Sequence, residues 1–275
     1  MAAMKNQYYL PAIIASLMLA PNGVVAQEFD DANYINCMEQ AQGDDPDKGL
    51  FTALKMRGKS LDIPARHCES TALYSLGEYE EAAERLEGML TDMRIGIGMP
   101  KVAGARRSAS KAMLGQIIKM AAESWILARE GNRAYYIASQ GVNLYDSGDE
   151  RLYVYYILRG DGLMLEKDFD AAIKDFKEAT KLKEDATAAW GSLARAERMA
   201  GDMVEAEKAL QQAMLFGENN VAVRLEAGAI AYLVGDHESA RKHWLWVALH
   251  AENEEATLTA QSRLQALELG LELED

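Results

Sequence analysis

Small, apolar and polar positions recur every 34 residues along the C-terminal half of the chain. The recurrence is counted from Lys167, Gly201 and Gly235, each of which is followed by an aspartate. Within each half-period the apolar residues are three or four positions apart, which is the spacing of one face of an α-helix. The pattern therefore predicts pairs of antiparallel helices joined by a tight turn at each of these three positions.

Columns of small residues explain how the two helices of a pair approach each other. Glycine or alanine stands seven residues before and five residues after each turn, where a larger side chain would hold the helices apart. In its period and in these columns the chain resembles the tetratricopeptide repeat family over residues 153–186, 187–220 and 221–254. The resemblance implies an all-α fold, a right-handed superhelical solenoid of antiparallel helix hairpins. It also implies that the protein binds other proteins.

Less regular repeats extend the resemblance toward the N-terminus. Gly77 and the helix-forming residues after it predict a unit at about 63–96. Gly131 predicts the turn of a weaker unit at about 117–150. A turn at Gly131 places the bulky Tyr136 in a column that elsewhere holds a small residue.

The chain is accordingly expected to have five parts. They are a signal peptide at 1–26, degenerate hairpins at 27–96 with Gly49 in a small column, an irregular basic insertion and helix at 97–116, a repeat array at 117–254, and a capping helix with an acidic tail at 255–275. The insertion carries Lys101, Arg106, Arg107 and Lys111. It either contacts an acidic partner or membrane surface, or is a solvated linker.

The first residues have the layout of a secretory signal. Lys5 precedes an apolar run over residues 8–20, and Pro21 to Gly23 break that run before small residues that end at Ala26. Cleavage after Ala26 would export the chain, and we expect a periplasmic protein. The apolar run is shorter than the roughly 20 residues of a comfortable membrane span. An uncleaved anchor is the alternative interpretation.

Two cysteines, Cys37 and Cys68, follow the predicted cleavage site. An even number of cysteines in an exported chain favours a disulfide. Their separation of 31 residues is close to one repeat, which would place both on neighbouring parallel helices at similar depth. Two separate buried thiols are the alternative. A metal site is not favoured, because no CxxC pair or histidine cluster accompanies the cysteines.

Charge and motif content argue against several functions. The net charge of −14 would repel nucleic-acid phosphates, so no nucleic-acid partner is expected. The sequence has no nucleophile elbow, HExxH pair or phosphate-binding loop, so we expect no enzyme and no cofactor. His243 and His250 are seven residues apart on one predicted helix, but no third ligand stands at a convincing spacing.

The resemblance also implies which residues would contact a partner. In the family, the first helix of each hairpin lines a concave groove, through positions thirteen, ten, six, three and two residues before the turn. In this chain the side chains carried over as groove contacts are Val154, Ile157, Asp161, Met164, Leu165, Arg195, Arg198, Met199, Leu225, Tyr232 and Leu233. The groove would be mostly apolar with a basic spot at Arg195 and Arg198, which suits a peptide with apolar anchors and an acidic group.

These features predict a periplasmic adaptor that holds a peptide or a partner protein. The alternative is a self-associating structural component of an envelope assembly, which would pack through its terminal helix or its convex face. Homo-oligomers are therefore possible, and the groove could also be filled by a segment of the chain itself.

Overall fold

The computed structural model describes residues 32–57, 62–99 and 107–271. These residues form thirteen α-helices and no β-strand, which confirms the all-α expectation. The helices are α1 Ala32–Gln42, α2 Pro46–Arg57, α3 Asp62–Ser75, α4 Tyr79–Ile95, α5 Lys111–Leu127, α6 Gly131–Val142, α7 Leu152–Leu165, α8 Phe169–Leu182, α9 Thr187–Met199, α10 Met203–Gly217, α11 Val221–Leu233, α12 His237–His250 and α13 Glu254–Leu269. The predicted signal peptide, part of the basic insertion and the end of the acidic tail lie outside the described residues.

The chain divides after Asp168 into two compact units. In the unit formed by α1 to α7, each helix contacts the next, α1 also contacts α3, and α5 also contacts α7. In the unit formed by α8 to α13, each helix contacts the next, α9 contacts α11, and α11 contacts α13. Contacts to the next helix and to the one after it are the packing of a helical-repeat solenoid.

The turns between paired helices contain a residue in the left-handed region. Gly77, Gly201 and Gly235 have φ of 82°, 89° and 84°, a conformation that glycine adopts without steric cost. Lys167 takes the same position with φ of 60°, although it carries a side chain. The turns therefore lie where the sequence pattern puts them at these four positions.

The turn expected at Gly131 is wrong by two residues. Arg129 has the positive φ, 66°, and Gly131 is the first residue of α6. A Cβ on Gly131 would lie 2.7 Å from the carbonyl oxygen of Gly162, so this glycine permits the close approach of α6 to α7. With Arg129 as the turn, fully buried Ala134 occupies the small column, and Tyr136 is 65% exposed.

Small residues against aromatic ones form the core of the C-terminal unit. Ala206, Ala240 and Trp244 are fully buried. A Cβ on Gly228 of α11 would overlap the indole ring of Trp244 on α12, so the glycine makes room for that ring. Helix α13 covers this core with Ala256 and Ala260.

The N-terminal hairpins are joined by a disulfide. Cys37 on α1 and Cys68 on α3 are bonded, with their Cα atoms 6.1 Å apart. The alternative of two separate thiols is thereby excluded in this structure. Gly49 on α2 lies against α1, because a Cβ there would be 2.6 Å from the Cα atom of Ala41.

Candidate functional site

The first helices of the hairpins carry all the predicted groove residues. On α7, Val154, Met164 and Leu165 are half-buried and keep part of their surface accessible. Ile157 and Asp161 on the same helix are buried. Three of the five expected side chains of α7 are thus available to a partner in this structure, and two belong to the interior.

In the C-terminal unit too, some of the predicted groove residues are accessible and others are buried. On α9 Arg195 and Met199 are half-buried, and on α11 Tyr232 is half-buried while Leu233 is 48% exposed. Leu225 is buried on α11. Its carbonyl oxygen accepts hydrogen bonds from Trp244 Nε1 at 3.3 Å and Arg263 Nη1 at 3.1 Å, so its backbone takes part in core packing.

Arg198 is the main correction to the expected basic spot. Its guanidinium is buried and lies 2.6 Å from the carboxylate of Glu226, which is buried as well. This pair joins α9 to α11 and neutralises the charge that the sequence analysis assigned to ligand binding. Arg195, the other residue of that expected spot, is half-buried and has an interaction within the protein as well.

An accessible apolar residue stands two positions before each of several turns. In the C-terminal unit these residues are Met199 and Leu233, before Gly201 and Gly235. In the N-terminal unit they are Leu127 and Leu165, both half-buried, before Arg129 and Lys167. The recurrence in both units marks the same edge of each first helix as available for apolar contact.

Tyr232, next to Leu233, is the most connected of the accessible residues. Its hydroxyl donates a hydrogen bond of 2.8 Å to the carbonyl oxygen of Leu271, the last described residue. Its ring lies edge-on to the imidazole of His237 at 5.3 Å. These contacts hold the ring in place beside Leu233, which favours its use as a rigid contact residue.

Sequence reasoning missed a buried carboxylate at a groove position of α5. Glu123 stands six residues before Arg129, just as Asp161 stands six before Lys167, and only 1% of Glu123 is exposed. Lys119 Nζ lies 3.2 Å from its Oε1 atom. Burial nevertheless raises the pKa of the Glu123 carboxyl, against the opposing effect of Lys119. Placing the turn at Gly131 had put this residue in the wrong column.

The histidines considered as metal ligands are engaged in protein contacts. His243 Nδ1 lies 3.3 Å from Arg224 Nη1, and burial together with that guanidinium lowers the pKa of His243. His250 stacks on Trp246 with ring centroids 4.7 Å apart. Among the described residues, no group of three or more histidine, cysteine and acidic side chains could hold a metal ion. None of the described helices has the length and apolar character needed to span a membrane.

Known proteins share this architecture. Residues 158–220 match the sequence profile of the tetratricopeptide repeat family. No curated protein matches the chain. A tetratricopeptide repeat protein from Parabacteroides merdae aligns over 93% of this chain and 90% of its own, with a TM-score of 0.64 at 12% identity.

Two further solved structures show the same fold. Pseudomonas aeruginosa PilF aligns over 84% of this chain and 96% of its own, with a TM-score of 0.56 at 13% identity. PilW, a type IV pilus biogenesis factor, aligns over 83% and 96%, with a TM-score of 0.59 at 14% identity. Repeats of this family generally serve as non-catalytic scaffolds for protein–protein contacts. Residues 158–220 thus match the tetratricopeptide repeat family by sequence, and the described helices share the fold of solved tetratricopeptide repeat structures.

Proposed function

We propose that this protein is an exported scaffold that holds a peptide or a partner protein against the first helices of its hairpins. The observation that carries the proposal is the accessible apolar residue two positions before the turns, which each unit shows by itself: Leu127 and Leu165 in the N-terminal unit, and Met199 and Leu233 in the C-terminal unit. Each lies on a rigid helix end whose backbone is fixed by the following turn. Apolar anchors on rigid elements are a frequent basis of peptide recognition by helical surfaces.

The neighbouring side chains give the proposed contact surface its specificity. Met199 brings a flexible thioether that adapts to different partner side chains. Tyr232 offers a ring that is already oriented by its hydrogen bond to Leu271. Arg195, half-buried on α9, is the basic side chain among the expected groove positions that keeps part of its surface accessible.

Export is the second part of the proposal. The predicted signal sequence supports it, and so does the Cys37–Cys68 disulfide, because such bonds persist in oxidising compartments. N-terminal sequencing of the protein purified from its native cells should find Gln27 as the first residue, in an extracytoplasmic fraction. A chain that keeps Met1 and stays in the cytoplasm would contradict export.

Site-specific photo-crosslinking in native cells tests the scaffold role. A benzophenone amino acid at Met199 or at Leu233 should give the same heterologous adduct. Leu215 on α10 is the matched control, since it is apolar and 72% exposed but lies on a second helix. We expect no adduct from Leu215, and we expect the Leu233 position to lose its adduct when Met199 is replaced by glutamate. Equal adducts from all three positions would contradict the assignment of the binding face.

Self-association is the alternative function, and one observation favours it. Leu215 and Leu249 stand 34 residues apart, at the same position of two successive second helices, and are 72% and 71% exposed. Paired exposed leucines of this kind are suited to an interface between copies. Sedimentation at high concentration should then show a dimer that Leu249→Lys converts to a monomer. A monomer for the unmodified chain would remove this alternative.

A further inference from the structure

Two tyrosines stand at the same place in the two units, three residues before a turn glycine. Tyr74 precedes Gly77 at the end of α3, and Tyr232 precedes Gly235 at the end of α11. In both turns the glycine N–H donates a 3.0 Å hydrogen bond to the carbonyl oxygen of the tyrosine. The two glycines have φ of 82° and 84°. The same backbone framework therefore carries both tyrosine side chains.

Each tyrosine ring packs edge-on against a second ring that begins the next helix. Tyr74 lies against Tyr79, and Tyr232 lies against His237, with ring centroids 5.3 Å apart in both pairs. The interplanar angles are 67° and 64°. Both tyrosines are half-buried. Because the second helix of the hairpin supports the ring, the hydroxyl of each tyrosine is held in place.

The Tyr232 hydroxyl binds a main-chain carbonyl. It donates its 2.8 Å hydrogen bond to the carbonyl oxygen of Leu271. Gly270, with φ of 64°, ends α13, so Leu271 lies beyond the helix and its carbonyl oxygen has no place in the helical ladder. The side chain of Leu271 is 53% exposed. The C-terminal unit thus shows what this tyrosine position recognises, which is the carbonyl of a leucine in a non-helical segment.

Tyr74 has the same setting without such an acceptor. Its hydroxyl makes no hydrogen bond to any residue that the structure describes. Burial raises the pKa of the Tyr74 phenol, and the nearby Glu123 and Tyr79 add to this effect. The hydroxyl therefore stays protonated and able to donate. An incoming carbonyl would meet a donor that is already oriented and that no described residue competes for.

The neighbouring first helix leaves room beside Tyr74. In the C-terminal unit α11 packs on α13, whose end supplies Leu271. In the N-terminal unit α1 packs on α3 and α5 packs on α7, but among the described helices α3 and α5 approach each other less closely. The connection between α4 and α5, residues 96–110, is also the longest between successive described helices. The half-buried Leu127, at the end of α5, is the accessible apolar residue nearest in the repeat pattern.

We propose that Tyr74 anchors an extended peptide segment of a partner protein by donating its hydroxyl to a main-chain carbonyl of that segment. The residue that carries this carbonyl is a leucine or similar apolar residue, whose side chain packs toward Leu127. The occupant is inferred from Leu271, which pairs the same donor with a leucine carbonyl inside this chain. The bond is made to a neutral main-chain group, so it needs no charge on the segment. This inference rests on the proposed scaffold role and adds to it a main-chain contact in the N-terminal unit.

Peptide titration, followed by NMR of the protein labelled in its tyrosine rings, tests the inference. The probe is a tetrapeptide of glutamate, leucine, glycine and leucine, acetylated and amidated, which copies residues 268–271. The control probe ends in isopentylamine, which keeps the last leucine side chain and lacks its carbonyl. The first probe should shift the Tyr74 signals saturably and bind about threefold to tenfold more tightly than the control. No shift at Tyr74, or equal affinities, would overturn the inference.

Two phenylalanine variants separate anchoring from structural support. Tyr74→Phe loses only the hydroxyl, so it should weaken the first probe about threefold to tenfold and leave the control probe unchanged. Its unfolding midpoint should not change, because the hydroxyl bonds to no described residue. Tyr79→Phe removes the hydroxyl of the supporting ring and should bind both probes like the unmodified chain. An equal loss for both probes, or an equal loss in both variants, would overturn the anchoring role.

Crosslinking at Met199 and Leu233 tests the scaffold role separately, in the other unit. Adducts at those positions without probe binding at Tyr74 would overturn the present inference alone. Probe binding at Tyr74 without such adducts would support the anchoring role and overturn the contact face assigned to the C-terminal unit.

Discussion

The first two hairpins and the last two are stabilised in different ways. In α10 to α13 an aspartate or asparagine precedes each helix, and its side chain accepts a hydrogen bond from a backbone N–H of the first turn. The bond measures 3.1 Å at Asp202 and 2.7 Å at Asn253. In α4 the corresponding residue, Glu78, makes no such bond. A cap of this kind also occurs at the start of α2, where Asp45 accepts from the Lys48 N–H at 3.1 Å. The N-terminal hairpins differ in that they add contacts of another kind.

Those other contacts join the elements of the N-terminal hairpins across the sequence. The disulfide connects α1 to α3, and in the adjacent turn of α1 a 2.6 Å hydrogen bond joins the Tyr34 hydroxyl to His67 Nδ1. Glu69 on α3 lies between arginines of α2 and α4. Where the repeat pattern weakens, covalent and buried polar links hold neighbouring helices together. These links depend on redox conditions or on pH, whereas apolar packing does not.

Loss of an aromatic core residue should have the largest effect on the regular repeats. Trp244 is fully buried between α11, α12 and α13, so Trp244→Ala should destabilise the C-terminal unit by about 3–5 kcal/mol. Urea unfolding followed by circular dichroism measures this. Trp190, which is only half-buried, is the control, and its replacement by alanine should cost clearly less. Equal losses would contradict the assignment of Trp244 to the core.

Removal of the disulfide should have the next largest effect, confined to the other region. The bond closes a loop between residues 31 positions apart, so the double change Cys37→Ser, Cys68→Ser should cost about 3–4 kcal/mol in the chain-entropy account. Limited proteolysis should then cut first within residues 32–95. Early cuts within 203–269 would contradict an independent C-terminal unit.

Acid should weaken the N-terminal hairpins through His67. Burial lowers the pKa of His67 to about 4, while the unfolded chain titrates near the ordinary 6.5. The unfolded state therefore binds the proton more readily between these values, and stability is lost as the pH falls from 6.5 toward 4, by up to about 3 kcal/mol. Unfolding measured across this range should show that slope. His67→Gln should flatten it, and an unchanged slope would exclude His67 as its cause.

Loss of a helix cap should have the smallest effect and should distinguish α12 from α4. Asp236 accepts from the Ser239 N–H at 3.0 Å, so Asp236→Ala should cost about 1 kcal/mol. Glu78→Ala, at the corresponding position of α4, should be nearly neutral because no cap bond is lost. Thermal unfolding of the two variants gives the comparison. A larger loss for Glu78→Ala than for Asp236→Ala would contradict the assignment of a cap to Asp236 and of none to Glu78.

The sequence predicts the fold well where its period is intact. The Cys37–Cys68 disulfide is favoured by the even cysteine count of a chain expected to be exported and by a separation close to one repeat. The turns at Gly201 and Gly235 follow from residue spacing. The turn at Arg129 does not, because an arginine in the left-handed region has no sequence signal and Gly131 two residues later resembles the expected glycine. The register error also concealed the buried carboxylate of Glu123.

The candidate site is less predictable, because the repeat positions do not show which long charged side chains form ion pairs within the protein. Arg198 has the position of a ligand-binding residue, but Glu226 on the next first helix neutralises it. Small and apolar columns depend on local sequence, whereas ion pairs and cavities depend on how neighbouring helices meet.

Hydrogen–deuterium exchange of the purified protein, with and without a reductant, tests the contrast between the regions most directly. Reduction of Cys37–Cys68 should speed exchange throughout α1 to α4, because the covalent link between α1 and α3 is lost. Exchange in α10 to α13 should not change, since the repeats there are held by caps, turns and packing. A uniform acceleration over both regions, or none in α1 to α4, would contradict this account.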